Sequence, residues 1–189
     1  MKKEIEILWK LKDSWNGAIK KLSGATFVKE KKILDYYLFD PLRKDLQPDE
    51  KLRLSKCLRI RESESGSHLT FKHDHFEKDV WLYSDETESG IEQADVILSF
   101  FKNLGFEVLV TIDVHKIYFF SGPYEIALEK VKGLGNYIEV EYHSDKEITD
   151  VHRTKEEIRT YIQSLGIKIG EEENAGKPEL LLKKKRNKL

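Results

Sequence analysis

The sequence predicts an α+β fold, an eight-stranded antiparallel β-barrel with helices packed outside it. Three observations carry this. Strand-like stretches at the two ends of the chain alternate carboxylate with branched apolar residues: Glu4-Ile5-Glu6-Ile7 and Ile138-Glu139-Val140-Glu141. Successive side chains of a strand point to opposite faces, so each carboxylate pair shares one face. About eight such stretches lie mostly next to one another in sequence, which suits antiparallel pairing and a sheet long enough to close. Helical periodicity is confined to three segments, each ending on a leucine close before a glycine.

Composition narrows the classes. With 189 residues the chain is long enough for one domain with a proper core, and an apolar share of 39% supports one. A net charge of -1 argues against a general nucleic-acid binder, whose domain would be strongly basic. The single cysteine, Cys57, excludes an intramolecular disulfide. Met1-Lys2-Lys3 runs straight into a strand pattern without the apolar stretch of a signal peptide, and no run is long enough to span a bilayer. A soluble, reducing, cytoplasmic setting without membrane contact is the expectation.

Taken in order, residues 3–11 alternate as a strand. Asp13 or Ser14 caps a helix to about Leu22, with Trp15, Ala18, Ile19 and Leu22 on one stripe and Gly24 in the C′ role. Lys32–Phe39 is aromatic-rich and strand-like; Asp40-Pro41 breaks it, and a polar loop runs to about Ser55. A meander follows: Lys56–Arg61, the turn Ser63–Ser67, His68–Lys72 and Asp79–Glu88. Glu92–Leu104 is a helix with Ala94, Ile97, Leu98 and Phe101 on one face, stopped by Gly105. Phe106–Ile112 continues through Lys116–Phe120, Ser121–Pro123 turns into Tyr124–Leu128, and Gly133-Leu134-Gly135 turns into the last carboxylate strand. Thr154 with Glu157 has the form of a capping box and opens a helix that buries Ile158, Tyr161, Ile162 and Leu165 before Gly166. Residues 1–170 therefore form the barrel domain, and 171–189 read as a polar, basic C-terminal tail, partly disordered, with the run Lys183–Lys188 solvated.

The polar faces share a pattern. Arg59 with Arg61, Thr70 with Lys72, and Glu86 with Glu88 repeat the device of Glu4 with Glu6 and Glu139 with Glu141. They are either the solvated faces of a sandwich or, with helices covering the apolar side, the lining of a wet tunnel. Buried charges must be paired or solvated, so a tunnel would carry acids and bases together. Clustered carboxylates suit hard divalent cations such as Mg²⁺ or Mn²⁺, and clustered Arg and Lys suit phosphate.

In order along the chain, Glu4-Ile5-Glu6, Asp35-Tyr36-Tyr37, Leu58-Arg59-Ile60-Arg61, Leu69–Lys72, Glu86-x-Glu88, Leu104–Phe106 and Val131–Glu141 resemble the CYTH superfamily. That group unites class IV adenylate cyclases with thiamine triphosphatases and inorganic triphosphatases, all triphosphate tunnel enzymes. The resemblance implies metal ligands at Glu4, Glu6, Glu139 and Glu141, with Glu86 and Glu88 in support. It implies phosphate contacts at Arg59, Arg61 and Lys72. The implied function is a Mg²⁺- or Mn²⁺-dependent enzyme converting ATP to cyclic AMP and pyrophosphate. The alternatives are hydrolysis of thiamine, inorganic or nucleoside triphosphate, or non-catalytic binding of a nucleotide or polyphosphate. A homodimer is compatible with this reading.

Cationic positions of that family are changed in three places along the chain. Leu8 stands at the first, with Lys10 further along the same face as a substitute. Ser84 or Asp85 stands before the middle Glu-x-Glu. Asp113 and His115 stand at the late pair, leaving His115 as a weaker phosphate contact and Lys116 on the opposite face. His73-Asp74-His75 reads as a polar loop after a strand end, and Cys57, Trp15, Trp81, Tyr36 and Tyr37 read as packing residues.

Overall fold

The computed structural model describes residues 2–187. Among the described residues nine strands occur: β1 Lys2–Leu11, β2 Thr26–Phe39, β3 Lys56–Ser63, β4 Gly66–Glu77, β5 Val80–Ile91, β6 Glu107–Ser121, β7 Tyr124–Val131, β8 Gly135–Tyr142 and β9 Ile169–Glu173. The helices are α1 Trp15–Lys21, α2 Ala94–Asn103, α3 Val151–Ser164 and α4 Lys177–Arg186. Sheet order is β5-β4-β3-β2-β6-β7-β8-β1-β9, and a β5–β1 pairing closes the first eight strands into an antiparallel barrel. The two halves of β1 do different work. Lys2–Glu4 pair with β5, Ile5–Lys10 pair with β8, and β9 continues along the edge that β5 leaves.

Outward faces of β1, β7 and β8 supply Ile5, Ile7, Ile126, Leu128, Ile138 and Val140, which pack under Ile158 and Ile162 of α3 and Ala18 of α1. Burying a side chain such as Ile158 stabilises by about 1.5–3 kcal/mol. The helix α2 covers Leu38 and Ile60 through Ala94. This cover leaves the alternate, charged faces of the same strands to point inward.

Local chemistry decides the element ends. Ser14 accepts from the Gly17 amide as the α1 cap, and Gly105 and Gly166 take left-handed backbone after α2 and α3. Gly24 does not: it lies in the turn between α1 and β2 without positive φ. The cap of α3 is Asp150, which accepts from Arg153; Thr154 lies within the helix and its hydroxyl donates back to the Asp150 carbonyl. Gly133 and Gly135 both have positive φ, as the tight β7–β8 turn requires.

The segment expected as a loose tail forms β9 and α4. Leu180, Leu181 and Leu182 pack against a cluster containing Leu8, Tyr37, Val110, Ile112 and Tyr137. Three adjacent leucines present no helical stripe, so their anchoring role shows only when that cluster is assembled. Lys188 of the basic run lies outside the described residues. Among the described residues no helix is long and apolar enough to cross a membrane.

Candidate functional site

The inward faces enclose a cavity of about 590 Å³. The register builds it: Glu6 lies opposite Glu141 across β1–β8, Glu125 opposite Glu141 across β7–β8, and Lys72 opposite Glu86 across β4–β5. Its lining holds the acids Glu4, Glu6, Asp74, Glu86, Glu88, Glu125, Glu139, Glu141 and Glu179, and the bases Arg59, Arg61, Lys72, Lys116 and Lys177.

These charges are arranged in linked pairs. Arg61 grips Asp35 in a two-point fork, with Nε 2.7 Å and Nη2 2.8 Å from its carboxylate oxygens. Lys72 contacts Glu4 and lies 2.9 Å from Glu86. Lys116 contacts Glu129 and lies 3.2 Å from Glu139, and Lys177 reaches from the start of α4 to the same two acids, at 2.8 and 2.6 Å. Arg59 donates to Thr70 at 3.0 Å, while its buried Nε has no partner.

Burial and neighbours split the carboxyl groups into two kinds. Burial works against the charge of Glu4, but Lys72, a hydrogen bond from Glu86 and Arg59 outweigh it and bring Glu4 down to about 2. Glu86 is pushed up, chiefly by burial. Glu139 is likewise buried, yet Lys116 and Lys177 hold it well below the ordinary range. Glu6 goes the other way: burial, then the charges of Glu139 and Glu4, push it well up. Burial also raises Asp74 to about 6 and Glu179 to about 7.

Asp35 gives the first testable consequence. Burial would raise it, but Arg61 overrides burial and brings it from 3.8 to about 2. A depressed carboxyl contributes stability that is complete above its unfolded value and is lost as pH falls through the folded one. Asp35→Asn should therefore cost about 2 kcal/mol at pH 7 and little once the acid window near pH 2 is reached. Urea denaturation at both pH values measures it; an equal loss at both would exclude the ion pair as the source.

Of the sequence candidates, Glu4, Glu6, Glu86, Glu88, Glu139, Glu141, Arg59, Arg61 and Lys72 all line this cavity. Lys10 and His115 do not. Lys10 follows the inward frame, but Leu8 and Tyr137 fill the barrel there, so its ammonium lies 4.4 Å from the Tyr137 ring centre and bonds the Leu134 carbonyl. His115 faces outward, with Nε2 2.5 Å from Glu30 and its ring beside Trp15, and Asp113 pairs outside with Lys132. The frame of β6 is thus the reverse of that expected: Lys116 and Tyr118 point inward. Apolar residues occupy both faces of β6, with Val110, Ile112 and Val114 in one cluster and Ile117 and Phe119 in another, so alternation alone does not fix its frame. Sequence reasoning also missed Lys177, Asp74 and Glu179. The Gly176-Lys177-Pro178 start of α4, a lysine between glycine and proline, was the available signal.

The donor set fits a hard divalent cation. Carboxylate oxygens of Glu4, Glu6 and Glu141 converge to within 4.8 Å of one another. Three acids held that close in a buried site repel unless a cation or proton lies among them, and Glu4 adds to the upward push on Glu6 that burial and then Glu139 exert.

Comparison with known proteins agrees with this architecture. A Methanocaldococcus jannaschii protein named "Putative adenylate cyclase MJ0240" is 27% identical over 166 residues, covering 87% of this chain and 90% of its own. The PH1819 protein of Pyrococcus horikoshii superposes with a TM-score of 0.78 at 23% identity, over 96% of this chain and 99% of that one. A Hippeastrum protein described as a "Putative adenylyl cyclase" that "reveals a dominant" triphosphatase activity gives 0.62 at 17% identity over 92% and 91%. Residues 3–174 match the CYTH domain, from the first carboxylate strand through β9, and the chain belongs to that family.

Proposed function

We propose that this protein is a metal-dependent enzyme acting on a triphosphate, and that its reaction is the adenylate cyclase type, ATP to cyclic AMP and pyrophosphate. The observation that carries the reading is the charge balance of the cavity. Nine carboxyl groups line the cavity beside five cationic ones, and Glu4 and Glu139, both held below the ordinary carboxyl range, would repel a bare triphosphate unless divalent cations accompanied it. Glu4, Glu6 and Glu141, with Glu139 beside them, would hold those cations, which supply offset of phosphate charge and polarisation of the P–O bonds.

The chain's own residues then do the positioning. Arg59, with its buried Nε unpartnered, and Arg61, fixed by Asp35, present guanidinium forks to phosphate oxygens. Lys72 of β4 and Lys116 of β6 add point charges from separate parts of the barrel wall, and Lys177 adds another from α4. Asp74, raised to about 6, is poised to accept a proton near neutral pH, as attack by a ribose 3′-hydroxyl on the α-phosphorus requires. The relative from Methanocaldococcus jannaschii, named as a cyclase, supports this choice of reaction. The Hippeastrum description supports a second reading in which water attacks the terminal phosphorus of a nucleoside, thiamine or inorganic triphosphate. A purely binding role rested on missing cations; Lys116 and Lys177 project into the cavity and weaken that motive.

Incubation of the full chain with ATP, thiamine triphosphate or inorganic triphosphate, with Mg²⁺ or Mn²⁺, tests all three. Cyclic AMP that disappears in the Glu139→Gln/Glu141→Gln variant is the expected result. Phosphate alone would select the hydrolase, and no product from any substrate would leave the binding role.

A further inference from the structure

The wall of the barrel carries a second cluster of metal-ligand residues, facing away from the cavity. His73-Asp74-His75 lies within β4, so Asp74 points inward while the two histidines share the outer face. The antiparallel register sets Asp85 of β5 directly opposite His73, and Tyr83 opposite His75. One donor atom from each of His73, His75 and Asp85 lies within 4.8 Å of the others, and His75 Nε2 is 2.8 Å from Asp85 Oδ2. The rings are already ordered: His75 stacks on Tyr83 with centroids 4.3 Å apart and planes at 13°, and His73 lies 4.5 Å from His75.

We propose that His73, His75 and Asp85 bind a divalent transition-metal ion of the Zn²⁺, Co²⁺ or Ni²⁺ kind on the outside of the β4–β5 hairpin. Bonds of about 2.0–2.2 Å place tetrahedral donors roughly 3.4 Å apart, so a small opening of the His75–Asp85 contact admits the ion. Two imidazoles and one carboxylate select borderline metals, whereas the all-oxygen acids of the cavity suit Mg²⁺ and Mn²⁺. Three protein ligands leave a fourth position for water or another donor. The ion would clamp the two strands close to their connecting turn, where Lys78 and Asp79 both take positive φ. On the inner face of the same strands stand Lys72, Asp74 and Glu86, so the clamp would steady one wall of the cavity. The site does not depend on the triphosphate reading.

The test is titration of the untagged full chain with Co²⁺, read by visible absorption, and with Zn²⁺, read by calorimetry. Three forms are compared: wild type, His73→Gln/His75→Gln, and Glu4→Gln/Glu6→Gln/Glu141→Gln. The expected result is one tight site per chain that persists in the cavity variant and in a large excess of Mg²⁺. In the histidine variant it should weaken by at least ~100-fold, the upper end of what loss of an outer-shell partner costs. Asp85→Asn, a near-isosteric change, should weaken it in the same direction, with circular dichroism unchanged. Binding that survives the histidine variant but fails in the cavity variant, or that Mg²⁺ displaces, would overturn the assignment. So would the lack of any saturable Co²⁺ band.

Discussion

Glu6→Gln is expected to make the metal-free protein more stable and the enzyme far weaker. Burial first, and then the charges of Glu139 and Glu4, raise the proton affinity of Glu6 well above the ordinary carboxyl value of 4.5. A carboxyl raised on folding destabilises progressively as pH climbs above its unfolded value, and reaches the full penalty above its folded one. The amide removes that penalty, so the gain in melting temperature should be larger at pH 8 than at pH 5. The same change deletes one of the three oxygens that converge with Glu4 and Glu141. Metal-dependent turnover should fall by at least ~100-fold, beyond the cost of losing an outer-shell partner. Mn²⁺ should raise the melting temperature of the wild type much more than that of the variant. Calorimetry at the two pH values, with and without Mn²⁺, measures both effects. A lower melting temperature in the metal-free variant, or an unchanged response to Mn²⁺, would mean that Glu6 is a structural acid.

Lys116→Met should cost about 3–5 kcal/mol, because removing one partner of a buried ion pair strands the other. Glu129 is 0 % exposed and its Oε2 already has no hydrogen-bond partner, so Lys177 alone would then have to balance Glu129 and Glu139. Adding Glu129→Leu should recover most of the stability, since a well-packed apolar pair often replaces a buried ionic one without loss. It should not recover turnover if Lys116 serves the substrate. Urea denaturation and steady-state assays of the two single variants and the double separate these roles. Turnover restored together with stability would show that Lys116 matters only for the fold.

These two residues also mark where the sequence suffices. Glu6 belongs to the first part of β1, which alternates cleanly, and its inward direction follows from Ile5 and Ile7 beside it, which must find the apolar layer under α3. The same alternation turns Arg59, Arg61, Lys72, Glu86, Glu88, Glu139 and Glu141 inward, and closing the barrel made one cavity of them. Lys116 lies in a strand whose inner and outer faces are both apolar along part of its length. Only pairing against β2 and β7, with Lys116 opposite Glu129, sets its direction.

The amino-acid sequence by itself determined the strand periods, the helix faces, the barrel and most of its charged lining, because those features are local alternations repeated strand by strand. What only the tertiary structure decided depends on residues far apart in the chain. Docking of Leu180–Leu182 on Leu8 and Tyr137 carries Lys177 to Glu129 and Glu139, and the same apolar filling keeps Lys10 out of the cavity. The β4–β5 register brings Asp85 to His73 and His75. Such meetings are fixed by packing and register across the closed sheet, and no window of neighbouring residues contains them.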